Sequence, residues 1–413
     1  MTKLEQLIEQ LCPDGVEYRK MGELGTFYGG ITGKSKEDFK EGNAKFITYK
    51  NVYANPALQV DVPDRVRISE KENQRTLEYG DIIFTGSSET PDECGISSVV
   101  TTKTDEKLYL NSFCFFFRLN DKNILLPDFS KHLFRSNNLR YQIGKTASGV
   151  TRFNVSKDRM KKVCIPVPPL EVQAEIVRIL DTFTEFTTEL TTELTNRKKQ
   201  YEYYRNMLLK TDASHYMLEE ICDIVDYRGK TPKKVDEGIF LVTAKNIRKG
   251  YIDYEKSQEY VNPDDYAEIM RRGLPQIGDV LITTEAPCGN VAQIDREDIA
   301  LAQRVIKYRP KDGHLNSSYL KYILLGEEFQ NKLLKAATGG TVKGIKGSKL
   351  HKLTIPVPSI EEQRRIVDIL DRFDKLCNDI SEGLPAEIDA RKKQYEYYQD
   401  KLLTFKRSNR ATS

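Results

Sequence analysis

Residues 163–183 read VCIPVPPLEVQAEIVRILDTF, and residues 353–373 read LTIPVPSIEEQRRIVDILDRF. The second stretch follows the first by 190 residues. The block RKKQYEYY then recurs at 197–204 and 391–398, now 194 residues apart, so the second copy carries four extra residues. Self-similarity at one long period marks a duplicated structural unit. From Leu170 to Leu209 there is neither Gly nor Pro. Ile176, Leu180, Phe183, Leu190, Leu194, Tyr201, Tyr204 and Leu208 recur at spacings of three, four and seven. The second copy repeats the seam through Ile366, Leu370, Phe373, Ile380, Leu384, Ile388, Tyr395, Tyr398 and Leu402. Mixed three–four spacing over this length predicts a coiled-coil helix, a rod of about 60 Å, and two such seams in one chain can pair. Pro168-Pro169 signals the start of the first rod, and Ser359-x-x-Glu362 signals the second as a capping box. Gly383 and Pro385 interrupt the second seam, and Pro385 is placed to open a new helix.

Working outward, each seam follows a stretch of roughly one domain's length. The two stretches are only loosely alike. YGDIIFTG (79–86) resembles IGDVLITT (277–284), FITYKNVY (46–53) resembles FLVTAKNI (240–247), and TASGVTR (146–152) resembles AATGGTV (336–342). Runs such as Lys45–Val52, Asp81–Thr85, Phe113–Leu119, Phe240–Thr243, Asp279–Thr283 and Val305–Tyr308 are strand-like, with Gly, Pro, Asn and Asp between them. The fold class is therefore α/β, with two mixed α/β domains alternating with two helices. The expected plan is an N-terminal helix at 1–13, a domain at 14–168, a helical spacer at 169–210, a second domain at 211–358 and a second spacer at 359–406. Leu4, Leu7, Ile8 and Leu11 give the N-terminal helix one apolar face for packing on the scaffold.

Composition narrows the function. The 413 residues carry 64 Lys and Arg against 61 Asp and Glu, a net charge of +3. Any affinity for nucleic acid must then come from local patches. Seven scattered Cys without a CxxC point to reduced thiols in a cytoplasmic protein and speak against a zinc site, and the four His lie at no metal-ligand spacing. No apolar run is long enough to span a membrane. Pro91-Asp92 with Asp105-x-Lys107 mimics a nuclease pattern but has no twin in the second half. Full Walker A, GxGxxG and Asn-Pro-Pro-Tyr motifs are missing, so no catalytic residue, cofactor or metal is expected.

Two loops, Gly33-Lys34-Ser35 and Gly229-Lys230-Thr231, resemble the end of a phosphate-binding P-loop. Tyr28 and Ile224 replace its first Gly, leaving too few amides for a triphosphate. Contact with DNA phosphate is the expectation for both, with Arg228 and Lys233 adding charge. Two acid-free basic runs lie at matched places. One holds Lys131, Arg135, Arg140, Lys145, Arg152 and Lys157; the other holds Lys332, Lys335, Lys343, Lys346, Lys349 and Lys352. Candidate base readers in loops that differ between halves are Ser87, Ser88, Glu89, Thr151, Arg152 and Asn154, then Glu285, Gln303, Arg304, Thr341 and Lys343. Lys50 and Lys245, in the matched stretches 46–53 and 240–247, complete the set with Lys145 and Lys346.

IPVPPLEVQAEIVRILD (165–181), IPVPSIEEQRRIVDILD (355–371), the repeated RKKQYEYY, LPAEIDARKKQ (384–394) and the opening LEQLIEQLCPDGVEYRKMGEL together resemble the DNA-specificity subunits of type I restriction–modification systems. The tandem TTEL at 187–194 is similar to short repeats found in the central helix of some members. The resemblance implies that each domain recognises one half of a split, asymmetric target in double-stranded DNA. It implies two antiparallel helices acting as a ruler. Two methyltransferase subunits would bring S-adenosylmethionine and the adenine chemistry, and ATP-dependent restriction subunits would join them.

Overall fold

A computed structural model describes residues 2–227, 232–340, 342–378 and 383–408. The chain forms two compact units. The first comprises residues 1–190 and 388–413, and the second residues 191–387. No helix among the described residues is long and apolar enough to cross a membrane.

The two units share the core of their topology. In the first, an antiparallel sheet runs in the order Gly25–Gly29, Cys114–Leu119, Ile82–Thr85, Ser97–Val99. A second sheet orders Arg65–Val66, Ala44–Ile47, Leu108–Leu110 and Thr76–Leu77, with Ala44–Ile47 and Leu108–Leu110 parallel. The second unit repeats the first sheet and the parallel pair of the second, whose outer strands are arranged differently. Cys222–Asp226, Val305–Pro310, Val280–Thr284 and Cys288–Gln293 form its antiparallel sheet. Ile239–Val242 and Ile299–Leu301 form its parallel pair. The mixed α/β expectation holds, with one local correction. The stretch Lys45–Val52 is not one strand: the strand ends at Ile47 and a helix spans Tyr49–Ala54. Thr48 accepts from the amide of Asn51 at 3.3 Å, so its hydroxyl caps a helix where the apolar pattern suggested extension.

One uninterrupted helix spans Leu170–Leu208. The second seam holds the helices Ile360–Asn378 and Leu384–Leu403, in line with the interruption expected at Gly383 and Pro385; Ile380 of the expected seam lies outside the described residues. Pro385 lies in the first turn of the later helix, where its missing amide costs nothing. Within the first unit, Phe183 stacks on Tyr398 at 5.2 Å and Arg391 lies 5.7 Å from the ring of Phe186, an antiparallel register. Within the second, Cys377 faces Lys198, Asp374 faces Tyr201, and Phe373 stacks on Tyr204 at 5.6 Å, again antiparallel. Ser359 accepts from the amide of Glu362 at 3.3 Å, but the Glu362 carboxylate pairs with Arg365 at 2.6 Å. Of the N-terminal helix Lys3–Leu11, Leu4 is buried in the first unit's core, Lys3 pairs with Glu175 at 2.8 Å, and Leu11 stays exposed.

The repeated residues explain how each domain is fastened. Gln173 and Gln363 are fully buried. Gln173 accepts from the amide of Leu126 at 2.8 Å and donates to the carbonyls of Ile124 and Pro168. Gln363 accepts from Asn316 at 2.8 Å and donates to His314 and Pro358. Each amide satisfies loop and helix groups that would otherwise be orphaned. Gly80 and Gly278, at φ of 90° and 91°, turn the chain into a second repeated device. Asp81 there takes two hydrogen bonds from Arg118 at 2.8 and 2.6 Å, and Asp279 takes two from Arg309 at 2.6 and 2.7 Å.

Candidate nucleic-acid interface

In the first unit a small sheet pairs Ala147–Ser148 with Phe153–Val155, and the latter with Ser87–Ser88. This sheet gathers Ser87, Ser88, Glu89, Thr151, Arg152 and Asn154. The hairpin tip turns at Gly149, whose φ of 148° suits only glycine, and Val150 beyond it is 92% exposed. Arg152 is exposed; its Nε donates to Ser87 Oγ at 3.1 Å, and its guanidinium lies 5.8 Å from the ring of Phe113. Asn154 is exposed on the middle strand, opposite Ser87. Tyr49 donates to the carbonyl of Ser87 at 3.0 Å, which brings its helix, and exposed Lys50 with it, to the same sheet. Ser88 and Tyr53 both donate to Glu93, at 3.1 and 2.9 Å. These bonds, that from Tyr53 foremost, hold the Glu93 carboxyl below its usual range.

The second unit builds a thinner version. Gly344 bridges both Glu285 and Thr338, and Ile345 donates to Thr284 at 2.9 Å. Arg304, at a φ of 68°, pairs with Glu285 at 3.3 Å. Lys343 is exposed beside them, Gln303 is half-buried next to Arg304, and Lys346 is exposed at the start of the helix Gly347–Leu350. Lys245 is exposed in a turn whose neighbour Asn246 is buried, donating to the carbonyl of Asp253 at 3.0 Å. Arg228, Lys230, Thr231 and Thr341 lie outside the described residues.

Not every expected residue joins these groups. Lys34 is paired with Glu72 at 2.6 Å with its side chain 7% exposed, so a phosphate would have to displace that carboxylate. Ser35 donates to Asp38 at 2.8 Å and closes a local turn. Half of the first basic run is internal. Lys131 pairs with Asp128 and Asp181, both at 3.0 Å, while Arg135 and Arg140 spend their donors on backbone carbonyls. Burial pulls the Arg135 guanidinium down to about 10. Lys145, Arg152 and Lys157 remain as its exposed members. Two aromatic neighbours were not anticipated. Phe113 is 58% and Tyr141 65% exposed, the latter 4.0 Å from the ammonium of Lys145. Tyr141 stands between the buried Leu139 and Ile143, so helical spacing already puts it on the polar face.

Arg152→Ala and Lys343→Ala are expected to weaken duplex binding without unfolding the chain. A base contact would cost about 1–3 kcal/mol at one target position, and a phosphate contact would lower the salt slope by about one. Titration of labelled duplex at several salt concentrations reads both, and unchanged affinity in both variants would remove these loops from the interface.

The profile of a family described as "Type I restriction modification DNA specificity domain" matches residues 13–199 and again 212–390. The specificity subunit of the Escherichia coli type I restriction enzyme EcoR124I/EcoR124II is 36% identical over 269 residues, covering 61% of this chain and 65% of that protein. A putative type I specificity subunit of Haemophilus influenzae is 34% identical over 277 residues, covering 62% of this chain and 68% of its own length. The chain thus matches about two thirds of the length of these relatives. Among solved structures, the type I restriction–modification S subunit of M. genitalium superposes with a TM-score of 0.50 at 15% identity, covering 94% of this chain and 96% of that one. A chain from a study of type I R-M complex assembly and conformational transition superposes at 0.63 with 17% identity, covering 94% and 97%. Both support the fold. With the family profile spanning most of both halves, the chain belongs to the type I restriction–modification DNA specificity family.

Proposed function

We propose that the chain is the DNA-recognition subunit of a type I restriction–modification complex and performs no catalysis itself. Each domain reads one half of a bipartite, asymmetric target. The helices set the distance between the halves and dock two methyltransferase subunits, and ATP-dependent restriction subunits complete the assembly. One observation carries this reading. Two units with the same antiparallel sheet order carry different side chains at matching loops, exposed Arg152 and Asn154 in one and Glu285, Arg304 and Lys343 in the other, while Ser87 is buried beneath Arg152. A shared scaffold with divergent hydrogen-bonding loops is what reading two different sequences requires. The domains at 14–168 and 211–358 are the proposed readers.

The test is reconstitution. The purified chain alone should neither methylate nor cleave DNA, and added methyltransferase subunits should restore adenine methylation at a single split target. Methyl transfer by this chain without a partner would overturn the reading.

A further inference from the structure

The groove between helix and domain is filled differently in the two units. In the first it holds two arginines. Arg135 donates to the carbonyls of Ser97, Val52 and Tyr53 at 2.8, 3.2 and 3.0 Å. Arg140 donates to those of Gly95, Cys94 and Asp92 at 2.5, 2.6 and 2.7 Å. The helix behind them presents a neutral side chain, Gln399, which donates to the carbonyl of His132 at 2.9 Å.

The repeat puts Leu325 and Gln330 in the places of Arg135 and Arg140. Gln330 reaches the carbonyl of Gly289 at 2.9 Å, the counterpart of the bond from Arg140 to Gly95. Leu325 has nothing to donate, and a cleft of about 550 Å³ opens where the first unit is filled. In the place of Gln399 the helix now carries Arg205, and Lys198 and Lys249 line the same cleft. Among the described residues, Arg205 Nε is buried without an acceptor, and no ion pair engages Arg205, Lys198 or Lys249. One of the cleft's carboxylates, Glu327, is engaged by Asn206 at 3.2 Å; Glu202 is the other. The Arg205 guanidinium is half-buried, engages Tyr201 and lies 5.4 Å from its ring, and it lines an open space that Lys198 and Lys249 share, a cation-rich cleft suited to an anionic ligand.

We propose that this cleft binds a small polyanion, a molecule with two or more closely spaced carboxylate or phosphate groups, with Arg205 as the central contact and Lys198 and Lys249 flanking it. Its central arginine occurs only in the second copy of the repeat, where the first has Gln399, and the proposal does not rest on the DNA-reading one. Isothermal titration of the full chain with sodium pyrophosphate and, separately, with citrate, each at ionic strength matched by NaCl, tests it. One site per chain is expected for at least one probe, and which probe binds distinguishes phosphate from carboxylate. Arg205→Gln installs the residue the first unit carries and should weaken binding at least tenfold while leaving the thermal melt in NaCl unchanged. Lys392→Ala, at the first unit's counterpart of Lys198, should change nothing. No heat above the NaCl control for either probe, or equal affinity in Arg205→Gln, would overturn the proposal. So would competition by random duplex, which would assign the acidic groups to a DNA backbone.

Discussion

Replacing Asp279 by Asn will cost the second unit about 3–5 kcal/mol, because it leaves the buried Lys307 and the half-buried Arg309 without their counter-charge. Asp279 is 2% exposed and receives Arg309 through two bonds at 2.6 and 2.7 Å, the amide of Gln276 at 2.8 Å, and the ammonium of Lys307 at 3.4 Å. Lys307 is itself only 3% exposed, and burial already holds its ammonium below the usual lysine range. The matching change in the first unit, Asp81→Asn, will cost less. Arg118 keeps a second carboxylate there, Glu78 at 2.5 Å, and among the described residues no buried lysine faces Asp81 at salt-bridge distance. The pH dependence has a definite sign. A lysine whose folded pKa is depressed binds fewer protons folded than unfolded, so stability rises with pH through its folded value. With Asp279 neutralised, Lys307 is depressed further, and the deficit of the variant should shrink as the medium becomes alkaline. Urea unfolding of both variants at neutral and alkaline pH measures this; equal losses, or a deficit that grows with pH, would contradict it.

Inserting one further TTEL after Leu194 will lengthen the unspecific gap of the target by about one base pair and leave both half-sites unaltered. Thr187–Leu194 lies within the unbroken helix Leu170–Leu208. Thr187, Thr188 and Thr195 donate to the carbonyls of Phe183, Thr184 and Thr191, at 2.8, 2.8 and 2.9 Å. The hydroxyls are satisfied within the helix itself, so an added unit needs no outside partner. Leu194 packs into the second unit's core, and a four-residue step keeps an apolar residue near the seam as a stutter would. Four helical residues add about 6 Å and roughly 40° beyond one turn. A base-pair step is about 3.4 Å and, at 10–10.5 pairs per turn, rotates roughly 35°. Only part of the rise counts where helix and DNA axes diverge. Deleting one TTEL should shorten the gap or abolish activity. An unchanged gap in an active insertion variant would sink the ruler.

The scaffold was legible because its signals are local and long. Three–four spacing over dozens of residues leaves one reading for Leu170–Leu208, and Pro385 marks the start of the helix Leu384–Leu403 in plain sight. The interface was legible only in part. Ser87, Arg152 and Asn154 could be chosen as polar loop residues, but their meeting on one sheet depends on strand pairing across more than sixty positions. Lys34 reads as a free cation until folding sets it against Glu72, thirty-eight residues away. Arg135 and Arg140 read as surface charge because sequence does not say which carbonyls will surround a guanidinium. The helix at Tyr49 was misread for a different reason: the apolar pattern of residues 45–52 fits a strand, and only the hydroxyl of Thr48 signalled the cap.

Exchanging residues 14–168 for the corresponding domain of another family member, then mapping methylated adenines in DNA modified by the reconstituted complex, tests the central claim most directly. The account predicts that one half of the target changes while the other half and the gap length stay as they were. A change in both halves would contradict it.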